Sequence, residues 1–544
     1  MNSPSPAAAF GRAFVAFVPL GFLSVFFLYP VLAMLWRGLG DDPGRFFDAL
    51  TSGFFLRIAW FTLWQAVAST ALTALVAFPM TWAVARYRFR GRRLARALAT
   101  VPFVLPTVVV AGAFLALLSW LGFEDARHSV PVVLAAHVFF NIAVFVRTVG
   151  GFWGRLDRSP EQAAQVLGAS PWRAFREVTT PRLRPAILSA VSIVFLFTFT
   201  SFGIIIILGG PRMQTVETEI YRYAINRTDF GTAAALGTVQ LLVVLALVAW
   251  NTRLTRMAAD GSREQFAQDH AEPAATLTDR LRVASALLPT LGFLLLPIGA
   301  LTVRAFRRSS QFSLANFRDL ADRPTVLPIT PLASLTNSVA FALTATGMAV
   351  VVGGLASLVI VHGRKTMSRV LDLGLILPLG TSAVTLGLGM LISLDAPPLN
   401  LRASWWIVPI AQAMIGIPFV IRSVVPVLRS VDDRMREAAA VLGAAPRRVR
   451  WEIDAALAMQ ALAVGAGFAF AISLGEFGAT LMLGRNPELL TMPLAIERLL
   501  GQPGELLRGQ AMALAVVLML MTTLVMLLAD RPGRGGSPER GAIL

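Results

Sequence analysis

Long stretches without a charged residue decide what this chain can become. Residues 13–36, 187–208 and 511–529 contain no Asp, Glu, Lys or Arg, and each reaches the roughly 18 apolar residues that mark a membrane span. In hydrocarbon every backbone N–H and C=O must find a partner inside the protein, so runs of this length fold as helices. Twelve spans are expected. The first six lie near 13–36, 58–85, 97–120, 130–150, 187–208 and 232–250, and the second six near 283–303, 333–361, 372–394, 405–428, 458–483 and 510–529. The fold class is therefore all-α, a polytopic membrane protein. The first run lacks a small-residue cleavage site and similar runs follow it, so it reads as a retained membrane helix rather than a secretion signal. Only 15% of the residues are charged, against about a quarter in soluble proteins.

The net charge of +17 would suggest nucleic acid in a soluble chain. Here the arginines lie in short loops between spans, where they set orientation, and no nucleic-acid partner is expected. An internal N-terminus places about two-thirds of the 48 lysines and arginines on the cytoplasmic side, with RYRFRGRRLAR after the second span as the strongest stop. Both termini are then cytoplasmic. Cysteine is absent, which excludes disulfides, a thiol nucleophile and cysteine metal sites. The four histidines, His128, His137, His270 and His362, are scattered without an H-E-x-x-H pair, so no metal site is expected. The single lysine, Lys365 in HGRKT, is not preceded by Gly, and a G-x-x-x-x-G-K-[ST] phosphate loop cannot form. No catalytic residue or cofactor is expected in this chain. If ATP drives it, another chain binds the ATP.

The chain also repeats itself. EQAAQVLGASPWRAF at 161–175 returns as REAAAVLGAAPRRVR at 436–450, a shift of 275 positions. The same shift pairs Arg147 with Arg422, Asp157 with Asp432, Phe202-Gly203 with Phe477-Gly478, and Leu208-Gly209 with Leu483-Gly484. Six spans per copy is an even number, so both copies insert in the same direction. Two parallel six-helix repeats imply a pseudo-two-fold axis along the membrane normal, with a pathway between the halves. The expected domains are 1–255 and 283–544, joined by the polar linker 256–282.

This topology places the loops 151–186 and 429–457 in the cytoplasm. Ala163, Ala164 and Leu167 have helical spacing, as do Ala438, Ala439 and Leu442, and small side chains let another surface approach closely. Gly168 and Gly443 end the helix or turn the chain, and Pro171 and Pro446 suit the start of a second one. An amphipathic loop resting on lipid headgroups would look similar. Two copies in register, each followed by a basic segment, favour a pair of docking knobs for a two-fold symmetric partner.

These residues resemble the cytoplasmic loop of permeases of binding-protein-dependent ABC importers, which carries Glu-Ala-Ala, three residues, Gly, nine residues, then Ile-x-Leu-Pro. The first copy reads Gln162-Ala163-Ala164, Gly168, then Val178-Thr179-Thr180-Pro181; the second reads Glu437-Ala438-Ala439, Gly443, then Ile453-Asp454-Ala455-Ala456. The first copy lacks the aligned Glu, although Glu161 adjoins it, and the second lacks the Leu-Pro ending, so unequal contacts are expected. The resemblance covers nearly the whole chain. AISLGEFGATLMLG at 471–484, followed by TMPLAIERLL at 491–500, is similar to the branch importing ferric iron and thiamine. The resemblance implies a bacterial inner-membrane permease whose two loops fit two separate ATPase subunits, which hold the ATP and Mg. ATP binding closes the ATPases, the loops move with them, and the pathway changes sides. An extracytoplasmic binding protein delivers the substrate, ferric iron or thiamine.

Glu476 is the most unusual residue for a membrane span. A carboxylate at that depth is costly and usually faces a cavity or a partner. Its repeat counterpart is Ser201, so the halves differ chemically there. Two readings stand for Glu476. It lines the translocation path, steering a cationic substrate or pairing with an arginine, or it bonds backbone freed by Gly475 and Gly478. Phe202 and Phe477, each beside a glycine, are candidates for a hydrophobic gate or for helix packing. Pro102, Pro106 and Pro378 interrupt the third and ninth spans, as kinked helices around a cavity would need. His137 and Asn141 in the fourth span either line the path or bond between helices, and the structural role is favoured for both. The alternative function is an ion-coupled secondary transporter with two six-helix halves, which gives no reason for the repeated loops. A membrane-embedded enzyme would need convergent acid–base, nucleophilic or metal groups.

Overall fold

The structure is a computed structural model that describes residues 6–40, 43–260, 271–309, 311–363, 365–395, 399–430, 437–439, 441–445, 448, 455–484 and 486–529. Helices make almost all of it. The described strands are two short pairs, Tyr87–Arg88 with Glu272–Pro273 and Arg307–Arg308 with Gln311–Phe312. Among the described residues ten helices are long and apolar enough to cross a membrane, or eleven when the bent pair Arg92–Val104 and Thr107–Leu121 counts as one. The expected all-α polytopic class is what the structure has.

The departures from continuous spans occur where the backbone breaks. The third span bends by 104° at Leu105, which precedes Pro106 and is extended at φ −69°, ψ 135°, because a following proline disfavours helical backbone. In the ninth span Lys365–Gly380 and Ala383–Ser393 are separate helices, the second only 11 residues long. Ser382 is extended there and its hydroxyl accepts the Thr385 N–H at 3.2 Å, starting the second helix as an N-cap. The fifth span divides into Thr180–Phe199 and Gly203–Leu208, and the eleventh into Ala455–Gly475 and Gly478–Leu483.

The chain divides into two compact units that interleave along the sequence. One takes Met1–Ala49, Ile220–Leu241 and Ala315–Leu544; the other takes Leu50–Glu219 and Leu242–Leu314. In the first unit, helix Tyr29–Leu39 lies against Ala383–Ser393, so close that a Cβ at Gly389 would stand 2.9 Å from the Pro30 carbonyl oxygen. In the second unit, helix Leu277–Ala305 lies against Gly53–Arg86 and Thr107–Leu121, and Thr290 Oγ1 donates to the Val76 carbonyl at 3.2 Å. The opening helix of each sequence half thus packs with the body of the other half.

The repeat is written into backbone hydrogen bonds. In one unit the Val216 N–H donates to Thr62 Oγ1 at 3.0 Å, and in the other the Met492 N–H donates to Ser338 Oγ at 2.7 Å. Both partners are shifted by 276 positions. Helices Pro331–His362, Ile407–Arg429 and Ala455–Gly475 form the centre of their unit. They approach through small residues, as membrane helices do: a Cβ at Gly465 would lie 2.9 Å from Val420 Cα.

Candidate functional site

The first repeated loop is a helix, Ser159–Val166, that ends in a left-handed glycine. Asp157 Oδ1 accepts the Ser159 N–H at 2.9 Å at its start. At its end the Gly168 N–H donates to the Gln165 carbonyl and the Ala169 N–H to the Ala164 carbonyl, both at 3.0 Å. Gly168 has φ +93°. This pair of bonds around a glycine at positive φ is a Schellman ending. The next helix, Pro171–Ala174, has Pro171 in its first turn and Ser170 Oγ accepting the Arg173 N–H at 3.3 Å.

The second loop repeats the turn. Its Leu442 N–H donates to the Ala438 carbonyl at 3.1 Å, its Ala444 N–H to the Ala439 carbonyl at 2.9 Å, and Gly443 has φ +80°. A Cβ built at Gly168 or Gly443 would meet no atom within 4 Å, so the backbone angle, not space, requires glycine. In each copy the turn carries an exposed apolar pair. Val166 and Leu167 are 87% and 88% exposed, and Val441 and Leu442 are 87% and 86% exposed. Gln162, Ala163, Glu437 and Ala438 are exposed, and Ala164 and Ala439 are half-buried. The two exposed apolar pairs occupy matching positions on matching turns. Pro446 and the motif end Ile453-Asp454 lie outside the described residues.

The base of the first loop is clamped to the helix bundle. Glu161 is buried, and Arg86, the last residue of helix Gly53–Arg86, donates from Nη2 to both of its carboxylate oxygens. Thr179 Oγ1 donates to the same carboxylate at 2.8 Å. The Arg86 guanidinium also lies 5.9 Å from the Trp153 ring centroid. Burial pushes the Glu161 carboxyl up, but bonds from Arg86 and Thr179 and the charges of Arg86 and Arg158 outweigh it and hold the group below the usual carboxylate range. Beside this pair an aromatic ladder runs outward. Trp153 stacks on Phe175, and Phe175 stacks on Trp172, each at 5.7 Å between centroids.

The second group of candidates lies at the helix breaks. Glu476, buried, sits between Ala455–Gly475 and Gly478–Leu483 and bonds the start of the second piece. It accepts the Ala479 N–H at 2.7 Å, the Thr480 N–H at 2.9 Å and Thr480 Oγ1 at 2.5 Å. Gln412 Nε2 reaches Thr480 Oγ1 at 3.4 Å. At the equivalent break Ser201 Oγ bonds His137 Nε2 at 2.9 Å, and His137 Nδ1 bonds Ser69 Oγ at 3.1 Å. A hydroxyl both donates and accepts, so the two serines serve either tautomer of the ring. Asn141 Nδ2 donates to the His137 carbonyl at 2.9 Å. Phe202 and Phe477 are buried at the N-cap position just before each break helix, and their carbonyls accept the Ile206 and Leu481 N–H at 2.9 and 2.8 Å.

Sequence reading singled out the tips of the loops and missed what holds the first one. Alignment to the family loop directs attention to Gln162, whereas the anchored acid is its neighbour Glu161. The hub role of His137 had a signal, since a shift of 275 pairs it with Gln412 as it pairs Ser201 with Glu476.

Residues 70–257 and 331–533 each match the family described as the binding-protein-dependent transport system inner membrane component. The chain is 26% identical over 522 residues to the thiamine transport system permease protein ThiP of Salmonella typhimurium, covering 92% of this chain and 93% of that one. It is 28% identical over 523 residues to ThiP of Brucella abortus, covering 92% and 91%. The sulfate transport system permease protein CysT of Escherichia coli is 29% identical over 238 residues, covering 42% of this chain and 86% of that one. A separate sulfate permease is thus matched by about half of this chain, and the thiamine permeases by nearly all of it. The family model fits twice, once over each copy of the exposed Val-Leu-Gly turn, and the chain belongs to the family of binding-protein-dependent transport system inner membrane components.

Proposed function

We propose that this chain is both membrane halves of an ATP-driven importer of thiamine, with permease domains at 1–255 and 283–544 around the linker 256–282. The observation that carries the reading is the pair of matched turns, each a helix ending in a left-handed glycine with a bare apolar pair at its tip. In this reading Gln162, Ala163, Ala164, Gly168 and Glu437, Ala438, Ala439, Gly443 seat in one groove on each of two ATPase subunits, which supply ATP and Mg. Both termini and both loops face the cytoplasm of a bacterial inner membrane, and an extracytoplasmic binding protein delivers the cargo. Similarity to thiamine permeases along 92% of the chain supports that cargo over ferric iron. Glu476, Ser201, Phe202 and Phe477, buried at the two breaks, are assigned to the walls of the pathway.

The test is reconstitution in proteoliposomes with the cognate ATPase and binding protein. Labelled thiamine should enter only with ATP, and the purified chain alone should not hydrolyse ATP. Uptake driven by an ion gradient without the ATPase would refute the reading. ATP-driven uptake of iron but not thiamine would refute the cargo alone.

A further inference from the structure

The first loop helix is held from a third side, by the linker. Tyr87–Arg88 continues directly from Arg86 and pairs in parallel with Glu272–Pro273, Tyr87 opposite Glu272 and Arg88 opposite Pro273. The Ala274 N–H extends the pairing to the Arg88 carbonyl at 3.0 Å. Glu272 also reaches the loop helix itself, where its Oε1 stands 2.5 Å from Arg158 Nη1. Arg158 is the residue on which that helix begins, since its carbonyl accepts the Gln162 N–H at 2.9 Å. Two residues past Ala274 a capping box of Thr276 and Asp279 starts helix Leu277–Ala305.

We propose that residues 271–276 are a strap that positions the first coupling helix, with Glu272 and Arg158 as its positioning residues. The proposal rests on the coupling reading of Ser159–Val166. Three elements meet at the base of that helix. Arg86 holds Glu161 from the second span, Glu272 holds Arg158 from the linker, and Arg182 Nη1 holds the Asp157 carbonyl at 2.9 Å from the following helix. The tip at Val166 and Leu167 stays bare. A helix clamped at one end and bare at the other transmits a push at its tip to whatever holds its base. Here that includes the linker and, five residues after Glu272, the start of Leu277–Ala305. The strap thereby ties the first coupling helix to the point where the second half of the chain enters the bundle.

The absence of native cysteine makes a spin-label test direct. A nitroxide at Gln165→Cys, an exposed position, reports motion of the helix without needing ATPase or cargo. Glu272→Arg and Arg158→Glu should each raise its mobility, and the double reversal should restore it. In the assembled transporter each single reversal should lower ATP hydrolysis by about two- to fivefold, the range for a partly exposed ion pair, and the double should recover it. Unchanged spectra in the single variants overturn the strap. Altered spectra with normal hydrolysis overturn its positioning role, as does failure of the double to restore both readouts. If a reversal does not accumulate in membranes, Glu272→Gln decides by the same two readouts, and wild-type values for it overturn the proposal. Failure of the coupling reading itself is distinguishable, because it leaves the spectra sensitive while tip variants still bind the ATPase.

Discussion

Removing Arg86 tests whether the first loop is a built structure or a passive connection. Arg86→Leu leaves the Glu161 carboxylate buried with Thr179 as its remaining described hydroxyl donor. Breaking a buried pair from one side costs about 3–5 kcal/mol, because the surviving charge is uncompensated. Both residues lie at the edge of the bundle and are each 10% exposed at the side chain, so about 3 kcal/mol is the working figure. That cost falls on local opening of the loop base, not on the distant core. A change of 1.4 kcal/mol is tenfold, so the open population should rise about 100-fold. Hydrogen exchange in detergent should show this at the Gln162 amide, bonded to the Arg158 carbonyl, and across Phe175–Thr179. Replacing both partners with leucine should recover most of the loss, since an apolar pair leaves no stranded charge.

The pH dependence has a definite sign. The folded pKa of Glu161 is depressed from 4.5, so its contribution is complete above the unfolded value and is lost as pH falls through the folded one. The wild-type loop should therefore loosen in acid, and the double leucine variant should lack that step. If exchange at Gln162 rises less than threefold in Arg86→Leu, or if the double variant is as open as the single, the clamp is not what holds the loop.

Three further outcomes are expected. Cysteines placed singly at Ala169 and Ala444 should resist membrane-impermeant thiol reagents in intact cells, and ready labelling of either would reverse the proposed orientation. Gly443→Ala should cost about 1–2 kcal/mol of local stability through its positive φ alone, whereas Gly443→Asp and Ala439→Glu should abolish co-purification with the ATPase; normal binding and transport by these and by Gly168→Asp and Ala164→Glu would reduce the loops to surface helices. Glu476→Ala strands two N–H groups and a hydroxyl in a buried break and should lower thermal stability by about 1–3 kcal/mol, with Glu476→Gln nearer the wild type; equal melting of Ala and wild type would show that Glu476 does not cap the helix.

Hydropathy located the spans because burial in lipid is written in the number of consecutive apolar residues. It could not locate the breaks. The run 187–208 has no charge and no proline after Pro185, yet the helix stops at Phe199 and restarts at Gly203. Apolar composition is indifferent to a turn whose polar groups are satisfied by neighbours, and Ser201 finds its neighbour on another helix. The turns at Gly168 and Gly443 were legible, because a glycine after an alanine-rich helix has a local reason to be there. The Arg86–Glu161 clamp was not, since its partners stand 75 positions apart and nothing local pairs them. The strap was hidden for a similar cause. Two residues in a polar linker carry no strand pattern, and only the facing edge of Tyr87–Arg88 gives them one.

The two copies show what duplication preserves. At both breaks the N–H of the residue before the phenylalanine returns to a carbonyl three positions earlier, Ser201 to Thr198 and Glu476 to Ser473, each at 3.3 Å. The backbone device is the same, and the side chains that settle it have parted. Glu476 turns back on its own short helix and satisfies two N–H groups within four residues. Ser201 turns away to His137, which passes the bond on to Ser69. One break is therefore secured locally and the other by a chain across three helices. A carboxylate that caps its own helix can be exchanged for another capping group without moving a neighbour, whereas His137 cannot change without releasing both serines. The Glu476 break is in this sense the more self-contained of the two, because the acid's bonds are made to its own short helix. The two breaks thus share a backbone turn and differ in the side chains that secure it, one bonding its own short helix and the other bonding across helices.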